Sequence, residues 1–158
     1  MGGIVGLVHS QSETLVRTIC SLMSHRGKGE GVYSDERNNY SCGVRIKSAE
    51  TDQPYISENG RYVVILDGYL SNAQYWRTEL RSNSVSLRTQ DNDAELILKL
   101  YEKFGQNVVQ CLNGAFAFAV YDKGEQTIFG ARDYAGAKPL YYVEHSKGFA
   151  FSSEIKGL

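Results

Sequence analysis

The stretch Gly3-Ile4-Val5-Gly6-Leu7-Val8 constrains this chain more than any other. Small and β-branched residues in an unbroken apolar run read as a short strand buried on both faces. Because the run starts at residue 3, the amino terminus is committed to the core, where termini ordinarily fray in solvent. Gly2 then stands at the margin of the interior, and the sequence has to explain a residue without a side chain there.

The rest of the chain alternates strand and helix signals. Ser10 and Glu13 have capping-box spacing, and Leu15, Ile19, Leu22 and Met23 fall on one face of a first helix. His25-Arg26-Gly27-Lys28-Gly29-Glu30-Gly31 reads as a loop whose glycines let its backbone approach other chain closely. Val32-Tyr33 and Cys42 to Ile46 predict strands around a polar turn at Asp35 to Asn39. Gln53 to Ile56, a Glu58-Asn59-Gly60 turn and Arg61 to Leu66 predict a hairpin whose second strand is covered on both faces.

Asn72 to Arg81 and Asp93 to Phe104 predict helices. The second has Asn92 and Glu95 at capping-box spacing and buries Leu96, Ile97, Leu100, Tyr101 and Phe104. The last third predicts antiparallel hairpins from Ala115–Tyr121, Thr127–Arg132, Leu140–Val143 and Phe149–Ser152, with turns at Asp122-Lys123-Gly124, Gly136 and Lys147-Gly148. Strands at both ends, helices between and strands covered on both faces favour an α+β architecture: two stacked sheets with helices outside.

At 158 residues the chain suits a single domain, 1–158, able to bury roughly 70% of the surface its unfolded form exposes. With 17 basic and 18 acidic residues the net charge is −1, which gives no footprint for nucleic acid or a membrane surface. No apolar run reaches the ~20 residues of a membrane span, and no signal peptide opens the chain. Cys20, Cys42 and Cys111 have neither CxxC spacing nor a histidine cluster beside them, so they read as reduced thiols of a cytoplasmic protein with no metal site.

Singly, the chemical candidates have ordinary structural explanations. His25 suits a helix C-terminus. Arg132-Asp133 beside Lys138 suits an ion pair at a strand end. The glycine loop lacks the Gly-Lys-Ser/Thr ending of a phosphate-binding loop.

Taken in order they say more. Met1-Gly2-Gly3-Ile4, His25-Arg26-Gly27, Gln53-Pro54, Asp67-Gly68-Tyr69-Leu70-Ser71-Asn72, Asp93-Ala94-Glu95, Leu112-Asn113-Gly114-Ala115-Phe116, Ala131-Arg132-Asp133 through Lys138-Pro139-Leu140-Tyr141-Tyr142, and Ser153-Glu154-Ile155-Lys156 resemble the class II glutamine amidotransferase domain of the asparagine synthetase family. The resemblance implies a four-layer αββα sandwich of the N-terminal-nucleophile hydrolase type. In active members Met1 is removed and the cysteine it exposes attacks the side-chain amide of glutamine. The ammonia released passes to a synthetase domain that uses ATP and magnesium. A terminal amine, with a pKa of about 8, suits the proton transfers beside a thiol.

This chain has Gly2 where that cysteine is expected, and Asp67-Gly68-Tyr69 where the family has Asn-Gly-Glu at the oxyanion site. A carboxylate in place of the amide donor would cost ~3 kcal/mol or more of transition-state stabilisation. Arg45 matches the arginine that clamps the glutamine α-carboxylate. Asp93 matches the acid that holds its α-amino group, and it also suits a helix N-terminus.

Several altered pocket positions favour natural loss of glutaminase activity, as in β-lactam synthetases and lasso-peptide cyclases. The domain is then a scaffold or partner for an ATP-dependent synthetase domain, which is expected to follow it, in cis or in trans. ATP and magnesium belong to that partner, and no cofactor is expected here. Two alternatives stay open: a glutamine-hydrolysing domain silenced by an introduced Gly2, and a non-catalytic module that holds glutamine or another amino acid.

Overall fold

A computed structural model describes residues 2–48, 52–146 and 148–158. Met1 and Lys147, the latter part of an expected turn, lie outside the described residues. Strand β1 (Gly3–Val8) is where the sequence puts it, with Ile4 and Val5 fully buried. Helix α1 (Ser12–Leu22) follows, then β2 (Gly29–Asp35), β3 (Tyr40–Ile46), β4 (Tyr55–Ile56) and β5 (Tyr62–Leu70). Helices α2 (Ala73–Ser82) and α3 (Asp93–Phe104) lead to β6 (Gly114–Asp122), β7 (Thr127–Arg132), β8 (Tyr141–His145) and β9 (Gly148–Ser152).

The strands form two antiparallel sheets, ordered β2-β3-β1-β9-β8 and β4-β5-β6-β7. Between them lies a core of Ile4, Tyr40, Cys42 and Val44 against Val63, Ile65, Ala117, Ala119 and Tyr121. The other face of β5 and β6 packs Val64, Leu66, Phe116 and Phe118 against Leu80 of α2 and Leu96, Ile97 and Leu100 of α3. The other face of β1 packs Val5 and Leu7 on Val16 and Cys20 of α1. Every residue from Val63 to Leu66 is therefore buried, as its doubly apolar pattern requires. The α+β, four-layer reading holds.

Five local expectations change. Helix α1 starts at Ser12 with no side-chain cap, so Ser10 and Glu13 form no capping box; Glu13 instead accepts from Arg17. The helix buries Ser12, Val16 and Cys20, while Leu15 and Leu22 are 36% and 51% exposed. Gly43 of β3 is the reason: a Cβ there would lie 2.5 Å from the Cys20 Sγ and 2.8 Å from Val16 Cγ1, so this face docks closest.

At α3, Asn92 caps by accepting from the Ala94 N–H at 2.9 Å. Glu95 does not reach back to it. Its buried carboxylate accepts from Tyr55 Oη, Arg88 N and Thr89 N at 2.7–2.8 Å, tying the preceding loop to the helix.

Residues 29–31 belong to β2 rather than to a loop, although the reason for glycine is as expected: a Cβ on Gly31 would lie 2.0 Å from the Gln53 carbonyl oxygen. Finally, the segment around Gly136 closes no hairpin, because β7 and β8 belong to different sheets.

Candidate functional site

Five separate parts of the chain meet at one end of the sheet stack: Gly2 ahead of β1, Arg26 after α1, Asp67 in β5, Lys138 after β7 and Glu154 after β9. The Asp67 side chain is 1% exposed and acts as the hub. Its Oδ1 accepts from Gly2 N at 3.1 Å and from Lys138 Nζ at 2.8 Å, and its Oδ2 pairs with Arg26 Nη2 at 3.4 Å. Arg26 also donates from Nε to the Gly2 carbonyl and from Nη1 to Glu154 Oε1, the latter at 3.1 Å.

Local folding delivers each member. Asp133 holds the loop that carries Lys138: Oδ1 accepts from Ala137 N at 2.9 Å, and Oδ2 from Lys138 N at 3.0 Å and Phe116 N at 3.3 Å. Burial alone would raise the Asp133 pKa, but these amide donors outweigh it and hold the carboxyl below the usual aspartate range. The expected Arg132-Asp133 ion pair is thus replaced by backbone capping, because Asp133 is turned into its own loop.

Glu154 is set by the strand-end pairing of Ser153 N with Ile4 O and of Ile4 N with Ser153 Oγ, both at 2.9 Å. It binds His25 Nε2 at 2.7 Å and Lys156 Nζ at 3.0 Å as well as Arg26. Burial opposes its ionisation; the donors from Lys156, Arg26 and His25 prevail and pull its pKa down to about 2.

The hub leaves little room at residue 2. A Cβ on Gly2 would lie 2.7 Å from Asp67 Oδ1 and 2.9 Å from the Arg45 carbonyl oxygen. Cysteine elsewhere does not fill the role: burial pushes the Cys20 and Cys42 thiols up to about 12 and raises Cys111.

Gly68 and Asp93 come together in a neighbouring cleft of about 590 Å³, lined also by Asp52, Gln53, Tyr69 and Asn92. Asp93 is already engaged there, accepting from Leu70 N at 2.9 Å and Arg77 Nη2 at 3.0 Å. Arg45 is not brought to this cleft. Its guanidinium faces α1, donating to the Cys20 carbonyl at 2.7 Å and pairing with Glu30 at 2.6 Å. The strand alternation that buries Val44 between the sheets turns Arg45 outward.

Sequence spacing missed Lys138 and Arg26 as partners of Asp67, and Glu154 as a partner of Arg26. Only their places in His25-Arg26-Gly27, Ala131–Tyr142 and Ser153-Glu154-Ile155-Lys156 marked them. Among the described residues no three His, Cys, Asp or Glu side chains are grouped as a metal ion requires, and no helix is long and apolar enough to cross a membrane.

Comparison with known proteins gives the fold and the family of the chain. The solved glutamine phosphoribosylpyrophosphate amidotransferase of Bacillus subtilis, complexed with ADP and GMP, superposes on 98% of this chain and 42% of its own, with a TM-score of 0.82. At 19% identity that likeness speaks for the fold alone. Asparagine synthetase [glutamine-hydrolyzing] 1 of Bacillus subtilis is 31% identical over 169 residues, covering all of this chain and 26% of that protein. Putative asparagine synthetase [glutamine-hydrolyzing] 2 of Methanocaldococcus jannaschii is 33% identical, again covering the whole chain and 35% of that protein. This chain thus spans about a quarter to a third of such relatives. A family model described as a glutamine amidotransferase domain matches residues 1–158, and the chain belongs to that family.

Proposed function

We propose that this domain does not hydrolyse glutamine and serves as a scaffold or partner for an ATP-dependent, amide-forming synthetase, in cis or in trans. The observation that carries the reading is the crowding at Gly2. The volume that a cysteine side chain would enter first is bounded by Asp67 Oδ1 at 2.7 Å and the Arg45 carbonyl at 2.9 Å. The Asp67 carboxylate is also poor company for a thiolate, since like charge disfavours ionisation.

Asp67 adds a second reason. An oxyanion developing beside a carboxylate is opposed, and the carboxylate has no proton donor of its own to offer. Lys138 and Arg26 neutralise it in the resting domain and are thereby spent on structure. A β-lactam-synthetase-like or lasso-peptide-cyclase-like system, whose amine is already in the substrate, needs no ammonia and could keep such a domain for its surface. ATP and magnesium are assigned to the partner.

The test is release of ammonia and glutamate from glutamine by the wild-type chain, Gly2→Cys, and Gly2→Cys with Asp67→Asn, each checked for removal of Met1 and for folding. The expected result is no turnover by wild type or the single variant. Glutamine turnover by either would overturn the proposal.

A second reading rests on the 590 Å³ cleft beside Asp93 and Gly68: retention of an amino acid without cleavage. Thermal stabilisation by glutamine would support it, and an unchanged melting temperature at millimolar glutamine would sink it.

A further inference from the structure

Two clefts adjoin at a wall formed by Asp52 and Gln53. The one of about 590 Å³ also carries Asp91 and Asp93, and none of its described lining residues is Lys, Arg or His. The other, of about 540 Å³, is lined by Pro54, Tyr55, Ile56 and Thr89 and by one cation, Arg88. A negative chamber thus opens beside a positive one.

Each chamber keeps bonding capacity that the fold does not use. Asp93 takes Arg77 Nη2 on Oδ1 and Leu70 N on Oδ2, which leaves a lone pair on each oxygen. Tyr69, 60% exposed, adds an aromatic ring to the same wall, and carboxylates beside a ring suit an ammonium ion. Arg88 is held in place: Nε donates to Tyr55 Oη and Nη2 to the Ile56 carbonyl, both at 2.8 Å, while its main-chain N–H donates to the buried Glu95 at 2.7 Å. Nη1 is left for a carboxylate, since the exposed Glu58 comes only within 4.0 Å of Nε. At the join, Gln53 Oε1 accepts from Leu66 N at 2.7 Å, so its Nε2 remains as a donor.

An α-amino acid carries its amine and carboxylate on one carbon. Bound through Asp93, it would set the carboxylate near Asp52 and Asp91, with Arg45 turned away to Glu30. A longer zwitterion can place one terminus in each chamber. We propose that the joined clefts hold a free peptide of about two or three residues, its terminal ammonium on the acidic side, a peptide carbonyl at Gln53 and its carboxylate at Arg88. The proposal keeps the site of the amino-acid reading and differs from it in the ligand.

The experiment is calorimetric titration of the chain with trialanine, with its N-acetyl and C-amide forms, and with glutamine. Trialanine should bind with a dissociation constant of about 1 mM or tighter. Each blocked form, and glutamine, should bind roughly tenfold more weakly. Arg88→Gln should weaken trialanine and leave the C-amide unchanged, and Asp91→Asn should weaken trialanine and leave the N-acetyl form unchanged. A merely structural role for either residue would move both members of its pair alike. Equal binding of free and blocked peptides, Arg88→Gln weakening acid and amide alike, or glutamine binding more tightly than trialanine would each overturn the proposal. The last result would leave the amino-acid reading standing, whereas binding of none of the four would remove both.

Discussion

Lys138 Nζ lies 2.8 Å from Asp67 Oδ1, across 71 residues of sequence. Neither partner can follow the other if one is lost. Asp67 is fixed inside β5, and Lys138 is fixed by the Asp133 loop. Lys138→Met would leave a buried carboxylate with Arg26 at 3.4 Å and one amide donor. Breaking one side of such a pair costs about 3 kcal/mol or more. Asp67→Asn combined with Lys138→Met should cost clearly less than the sum of the two single changes, read by urea denaturation. Strict additivity would show that the two groups do not stabilise one another.

Gly2→Ala should destabilise the domain although it adds a single methyl group. The new Cβ must displace either a buried carboxylate that holds two cations or a main-chain carbonyl. Overpacking of this kind costs ~1–3 kcal/mol, a fall in melting temperature of roughly 3–10 °C for a domain of this size. An unchanged melting temperature would mean that Asp67 moves freely, and crowding would then not account for a silent site.

Glu154 should make the domain acid-sensitive. Its folded pKa of about 2 lies below the ordinary glutamate value of 4.5, so its contribution is fully present above 4.5 and is lost as the pH falls toward 2. The amount at stake is ~2–3 kcal/mol. Glu154→Gln should therefore be less stable than wild type at pH 7, with the gap closing between pH 4.5 and 2 in chemical denaturation. A gap independent of pH would remove the Arg26, His25 and Lys156 contacts from the account.

Cys20 and Cys42 should be inert in the folded chain. With thiols near pKa 12, only about one in ten thousand of Cys20 and Cys42 is thiolate at pH 8. Iodoacetamide should label neither until denaturant is added, as read by peptide mass spectrometry. Rapid native labelling of Cys20 would place it on a more open surface than the α1–β3 contact allows.

The legible parts of the fold were those written in local patterns. The start of β1, the doubly apolar Val63 to Leu66 and the Asn92 cap depend on neighbours in sequence, and each was found where expected. The buried face of α1 departs from the expected one because Leu15 and Leu22 suggest a broader stripe than the sheet covers, while the small Gly43 draws in Val16 and Cys20. The family resemblance points to Arg45 for the cleft, but strand parity decides where a side chain goes, and Val44 takes the inward place. The bonds of Asp67 to Lys138 and Arg26 are tertiary throughout. No periodicity in the sequence encodes which cation reaches which carboxylate.

The strand order also has a temporal side. The sheet β4-β5-β6-β7 is made of consecutive segments, so its partners become available one after another and close mostly short loops. β1 has its neighbours in β3 and in β9, and β9 pairs Phe149–Ser152 with Val8–Val5 across a long stretch of sequence. β1 is thus made before either neighbour and gains its second one only after β4 to β8 have been made. Until residues 148–152 arrive, Gly2 has no finished site in which to sit.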